Sequence, residues 1–260
     1  MIGVFDSGLG GLSVLAAIAR ALPRADLLYL ADTAHVPYGD KTEGFITGRV
    51  LAIGNHLAEQ GCALIVVACN TATTTAIQAL RDNLPGVPVV GVEPGVKPAA
   101  QSSRSRHIAV LVTSATAQSQ RLAHLIERHA DGARVDIVPC PGWATHVETR
   151  QADTPAFHAE VAAKIKPLLA SGVDRIVLGC THYAFLTPLI TPLLGRHVEL
   201  VDVAEAVARQ VVRLHDKSNA GQARLNLQAT AHPERLRAAL PALGLHALAS
   251  RGDAPRQVIL

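Results

Sequence analysis

Ile65-Val66-Val67-Ala68-Cys69-Asn70-Thr71 and Ile176-Val177-Leu178-Gly179-Cys180-Thr181-His182 carry one pattern, with their cysteines 111 positions apart. In each, an apolar run ends at a small residue, a cysteine follows, and an amide or hydroxyl side chain opens the next segment. An uninterrupted Val/Ile/Leu run predicts a strand buried on both faces, as in the interior of a parallel sheet. Working outward, similar runs occur at Ile2–Phe5, Leu27–Leu30, Ala63–Val67, Val87–Val90, Ile108–Val112, Val135–Val138, Arg175–Leu178 and His197–Val201. Ala/Leu-rich stretches of helical period separate them, so the fold class is α/β. Repetition of the cysteine pattern predicts two similar half-domains facing one cleft.

The composition limits what such a chain does. Its 260 residues are 49% hydrophobic and 17% charged, enough for one large core or two modest ones and incompatible with disorder. Net charge is +3, from 24 Lys+Arg against 21 Asp+Glu, with no basic block, so no nucleic acid partner is expected. The longest apolar run, Cys62 to Cys69, is far shorter than the roughly 20 residues of a membrane helix. Met1-Ile2-Gly3-Val4 carries no charged leader, and a soluble cytoplasmic chain without membrane contact is expected. Cys62, Cys69, Cys140 and Cys180 include no C-x-x-C pair, which argues against a disulfide framework or a zinc site. Two polar stretches, Gln101–Arg106 and His215–Gln222, read equally as linkers or as loops.

Chemistry is expected where the strands end, because ligands of open parallel sheets bind outside the carboxyl ends of the strands. A helix N-terminus after each cysteine would supply free N–H groups and a positive dipole end, which hold a carboxylate and favour a thiolate. Cys69 and Cys180 read alternatively as inert buried thiols, but their matched settings favour function. Cys62 and Cys140 lack that setting. His182, two residues after Cys180, is placed to tune the thiol or pass a proton. Glu148 reads no differently from a solvated helix carboxylate.

The amino terminus admits several readings. Gly8-x-Gly10-x-x-Ser13 with Asp32 approximates a dinucleotide fingerprint, but Ser13 replaces the third glycine and Asp6 would repel a pyrophosphate. The same turn would let Ser7 and backbone N–H groups hold a small anion beside an acid/base Asp6, or would be a glycine turn capped by Asp6. Tyr38 and Gly39, Glu93-Pro94-Gly95 and Thr113–Thr116 read as loop chemistry or as ligand contacts. Pyridoxal phosphate would acidify an amino-acid Cα, yet none of the five lysines follows a strand in a glycine loop. A thiol hydrolase would use Cys180 and His182 alone, and a binding protein would need neither thiol.

Taken in order, Phe5–Gly11, Val36-Pro37-Tyr38-Gly39, Ala68-Cys69-Asn70-Thr71-Ala72, Val92-Glu93-Pro94, Leu178-Gly179-Cys180-Thr181-His182-Tyr183 and Val201-Asp202 closely resemble the glutamate racemases over nearly the whole chain. That resemblance implies two pseudo-symmetric α/β domains, 1–96 plus 206–260 and 97–205, each a mainly parallel sheet flanked by helices, with the active site in the cleft between them. It implies cofactor-independent interconversion of L- and D-glutamate for peptidoglycan, glutamate as the small-molecule ligand, no metal, and a family that often forms homodimers. Cys69 and Cys180 match its two catalytic bases, the first facing the α-proton of D-glutamate and the second that of L-glutamate. Asp6 and His182 match groups that assist the thiols, and Glu148 a helper carboxylate. Asp6, Ser7, Tyr38, Gly39, Asn70, Thr71, Thr116, Thr181 and His182 match substrate contacts.

Overall fold

A computed structural model describes residues 1–215 and 221–260. The chain opens with β1 (Ile2–Asp6), α1 (Leu12–Ala21), β2 (Leu27–Ala31), α2 (Glu43–Glu59), β3 (Leu64–Val67), α3 (Asn70–Asn83) and β4 (Val89–Gly91). It continues through α4 (Val96–Ser102), β5 (His107–Val112), α5 (Ser114–Gln118), α6 (Gln120–His129), β6 (Arg134–Pro139), α7 (Trp143–Glu148), α8 (Pro155–Ala170), β7 (Arg175–Leu178), α9 (Thr187–Ile190) and β8 (Glu199–Val201). Last come α10 (Ala204–Leu214), β9 (Leu225–Ala229), α11 (Pro233–Ala242), α12 (His246–Ala249) and β10 (Arg256–Gln257). Two compact units result, Met1–Val92 with Ala204–Leu260, and Glu93–Val203.

In the first unit the strand order is β10-β9-β2-β1-β3-β4, and every pairing is parallel. All residues of β1, β2 and β3 are buried, which explains their unbroken apolar character. Residues of α2 and α3, including Ile46, Val50, Ile53, Ala76 and Leu80, cluster with Phe5, Leu28, Leu30, Ile65 and Val67. Helices α1 and α10 pack on each other, and α10 also meets β3 and β4.

The second unit has the parallel order β6-β5-β7-β8. Trp143, Phe157, Val161, Ile165 and Tyr183 pack with Ala109, Leu111, Ile176 and Leu178 in one cluster. A second cluster joins Val96, Ala99 and Leu122 to Ile108, Val110 and Val112. The sheets share a topology: in β2-β1-β3-β4 and in β6-β5-β7-β8, the first strand of the set lies second and the third lies beside it. Connections leaving β1 and β3, or β5 and β7, therefore diverge, and a crevice opens at the carboxyl ends of each pair.

The polar stretch Gln101–Arg106 is the end of α4 and the turn from it into β5. Buried Asp174 organises it, accepting from the Ser103 hydroxyl at 2.6 Å and from the Arg104 and Ser105 N–H groups at 2.7 and 3.0 Å. Burial works to raise the Asp174 pKa, but these donors outweigh it and hold the carboxyl down at about 2. The stretch His215–Gln222 joins α10 to β9, and its residues 216–220 lie outside the described residues.

Candidate active site

In the first unit the crevice lies between the ends of β1 and β3. Asp6 ends β1 and is fully buried. Its Oδ2 accepts from the Gly11 N–H at 2.8 Å and, more weakly, from the Gly8 N–H at 3.4 Å, while Tyr29 Oη donates to the Gly8 carbonyl at 2.6 Å. The glycine turn is thus capped by Asp6, and two of its N–H groups serve that carboxylate rather than an external anion. Gly11 is required by space: a Cβ there would lie 2.6 Å from that of Asp6 and 3.1 Å from that of Ala68.

Cys69 follows β3 and is the N-cap of α3, its Sγ accepting from the Ala72 N–H at 3.4 Å. That N–H and the positive end of the α3 dipole favour negative charge on sulfur. Cys69 Sγ lies 3.8 Å from Ser7 Oγ. Ser7, Asn70 and Thr71 are buried around it, and Asn70 Nδ2 donates to the Val92 carbonyl at 3.3 Å. Tyr38 and Gly39 lie in a 3₁₀ turn, Tyr38–Asp40. The Tyr38 ring belongs to the buried cluster that includes Cys69. Its hydroxyl donates to Asp32 Oδ2 at 2.6 Å. Burial first, and then the Asp32 carboxylate, push the Tyr38 pKa far upward. Asp32 also accepts from Arg49 and from the Thr230 hydroxyl, so its oxygens serve this network and not a ribose.

The corresponding crevice of the second unit lies between the ends of β5 and β7. Thr113 caps α5, its Oγ1 accepting from the Thr116 N–H at 3.3 Å and lying 3.1 Å from Thr116 Oγ1. After β7 comes Gly179, where a Cβ would lie 2.7 Å from the Leu111 carbonyl oxygen and 2.5 Å from Val112 Cγ1. Cys180, Thr181 and His182 are buried. The α-helix start expected after Cys180 is absent; Thr181–Leu186 forms a 3₁₀ helix instead. Pro188 bears on the difference, because it lacks the N–H that a continuous α-helix would bond to the Ala184 carbonyl. In place of a capped helix, Cys180 has an imidazole: His182 Nδ1 is 3.9 Å from Sγ and Nε2 is 2.8 Å from Glu148 Oε2.

Glu148 is therefore not a solvated carboxylate; its side chain is only 13% exposed. Helix α7 sets its position. Trp143 packs edge-on against Phe157 and Tyr183, its indole N–H donates to Glu160 at 2.9 Å, and Tyr183 Oη donates to the Cys140 carbonyl at 3.0 Å. The other two thiols are buried: burial pushes Cys62 up to about 11 and Cys140 up to about 12. Arg49 and Thr230 were not indicated by the sequence, since they meet Asp32 only through folding. Among the described residues, no three His, Cys, Asp or Glu side chains converge as a metal site would need, and no helix is long and apolar enough to cross a membrane.

The structure brings Asp6, Ser7, Tyr38, Asn70 and Thr71 into the neighbourhood of Cys69, with Gly39 on the Tyr38 turn. It brings Thr181, His182 and Glu148 together beside Cys180, and Thr116 to the end of the adjacent strand. The same chain is 46% identical to a glutamate racemase of Pseudomonas putida over 248 residues, covering 93% of both sequences. It is 47% identical to one of Ectopseudomonas mendocina over 213 residues, 82% of this chain and 81% of that protein. Among solved structures, Escherichia coli glutamate racemase, in complex with L-glutamate and the activator UDP-MurNAc-ala, matches with a TM-score of 0.86 at 31% identity, covering 99% of this chain and 97% of that one. The Thermus thermophilus glutamate racemase matches with a TM-score of 0.79 at 37% identity, covering 100% and 96%. The family described as Asp/Glu/Hydantoin racemase matches residues 2–211. Matched over residues 2–211 by the family and over most of its length by glutamate racemases, the chain belongs to the Asp/Glu/hydantoin racemase family, on its glutamate racemase branch.

Proposed function

We propose that this racemase interconverts L- and D-glutamate without a cofactor, using Cys69 and Cys180 as bases on opposite faces of one Cα. The observation that carries the reading is the equivalence of the thiols: each follows the third strand of a repeated topology, and each has its own polar partners. Inversion needs a proton removed from one face and another delivered to the opposite face, and a single base tends to return what it took. With L-glutamate, the Cys180 thiolate takes the α-proton and the Cys69 thiol donates its own, leaving D-glutamate, a Cys180 thiol and a Cys69 thiolate. The reverse reaction exchanges these roles.

A thiol is a poor match for so weak a carbon acid, so the surroundings must stabilise the carbanion and its carboxylate. Ser7, Asn70, Thr71, Thr116 and Thr181, with the N–H groups at the start of α3, are suited to this as fixed donors away from bulk water. His182, backed by Glu148, takes and returns the Cys180 proton, and Asp6 serves the Cys69 side. The D-glutamate formed supplies peptidoglycan synthesis in the cytoplasm.

The test is incubation with L-glutamate in deuterated buffer without added cofactor, following Cα–H loss by NMR together with optical rotation. Exchange with formation of D-glutamate is expected, with deuterium concentrated in the new enantiomer. Cys69→Ser and Cys180→Ser should each abolish turnover in a folded protein; near-normal turnover by either would sink the two-base scheme. The Cys180, His182 and Glu148 line also suits a thiol hydrolase. Amide hydrolysis that survives Cys69→Ser would favour that second reading.

A further inference from the structure

Asp32 is fully buried and collects donors from its own loop, from α2 and from the end of β9. Its Oδ2 accepts from Tyr38 Oη at 2.6 Å and Arg49 Nε at 2.9 Å, and its Oδ1 from Arg49 Nη2 at 2.9 Å and Thr230 Oγ1 at 2.8 Å. Arg49, on α2, has a third use: Nη1 donates to the Leu260 carbonyl at 2.8 Å. One guanidinium thus fixes a buried carboxylate through two parallel bonds and ties it to the final residues of the described chain. Val258 and Leu260 pack on the same apolar cluster that holds Tyr38 and Cys69, and the Tyr38–Asp40 turn rests on α3, which begins directly after Cys69.

We propose that Arg49 is a positioning residue for the Cys69 half of the site: through Asp32 it holds Tyr38 against the thiol, and it makes that placement depend on the docked C-terminal segment. The proposal rests on the reading of Cys69 as a base, but its geometry does not. Removing the guanidinium leaves a buried carboxylate short of donors and frees the Tyr38 turn to move. A lysine keeps the charge but loses the parallel fork, so it should restore only part of the effect.

Two measurements test this. Racemase turnover of Arg49→Gln, Arg49→Lys, Tyr38→Phe and the Arg49→Gln/Tyr38→Phe double variant forms a cycle around Asp32. We expect Arg49→Gln to lower kcat/KM by about 10- to 100-fold, Arg49→Lys by less, and the double variant to be little worse than Arg49→Gln alone. Independently of any activity, iodoacetamide labelling resolved by peptide mass spectrometry should show Cys69 reacting several-fold faster in Arg49→Gln, with Cys180 unchanged. Fully additive effects in the cycle, or labelling of both thiols accelerated equally, would overturn the proposal in favour of a general loss of stability. Should Arg49→Gln fail to fold, Arg49→Lys with Tyr38→Phe supplies the same cycle and labelling comparison. A wild-type protein inactive on glutamate would fail the racemase reading alone, since the labelling contrast would still stand or fall.

Discussion

The Glu148 carboxylate, 2.8 Å from His182 Nε2, governs which nitrogen of that imidazole carries a proton. A carboxylate accepts rather than donates, so Nε2–H points at Glu148, and in the neutral imidazole the Nδ1 lone pair is then left toward Cys180 Sγ at 3.9 Å. Glutamine in its place offers either a donor or an acceptor and fixes neither tautomer. Glu148→Gln should therefore lower kcat by about tenfold or more while leaving the melting temperature nearly unchanged. Unchanged kcat in steady-state assays would remove Glu148 from proton handling. This partnership was not legible from the residues alone, because a helix carboxylate 34 positions from an imidazole gives no local sign of it. Cys69 and Cys180 were legible because strand, small residue and thiol are contiguous, and the repeat exposes itself.

At the scale of elements, the small residue before each cysteine solves a packing problem in two ways. Gly179 lies against the backbone of β5, whereas Ala68 keeps its Cβ because Gly11 opposite has none. Gly179→Ala should cost about 1–3 kcal/mol or more in urea unfolding, since the obstacle is the Leu111 carbonyl rather than a mobile side chain. A variant as stable as wild type would mean that β5 and β7 can separate without penalty. The Asp174 turn makes a prediction of its own. Its folded pKa is depressed from the ordinary 3.8 to about 2, so its stabilisation is complete above pH 4 and is lost as pH falls toward 2. The depression is worth about 2 kcal/mol. Wild type and Asp174→Asn should differ by at least that amount at neutral pH and converge through the acid window; a gap independent of pH would refute it. The eight apolar runs correspond to β1 through β8; β1, β2, β3, β5 and β7 are buried along their whole length, as continuous hydrophobic strands should be, whereas β6 and β8 are the more exposed edge strands of the second sheet. Strands β9 and β10 escaped notice because neither is a continuous apolar run. Leu225-Asn226-Leu227-Gln228-Ala229 alternates, and β10 is two residues long at a sheet edge.

For the whole molecule, the first sheet is assembled from both ends of the sequence, while the second is complete within Glu93–Val203. A fragment of residues 93–203 should unfold cooperatively by circular dichroism. Residues 1–92 alone should not, because β2 would lack the partner it has in β9. Cooperative unfolding of the 1–92 fragment would contradict this. The pairing of β2 with β9 also has a consequence in time. As the chain leaves the ribosome, β1 to β4 emerge first, yet β2, from Leu27, waits for β9, from Leu225, by which point the middle unit has all its sequence. The first unit is thus expected to finish folding after the second although its synthesis starts first, with one thiol already made and its supporting frame still unwritten.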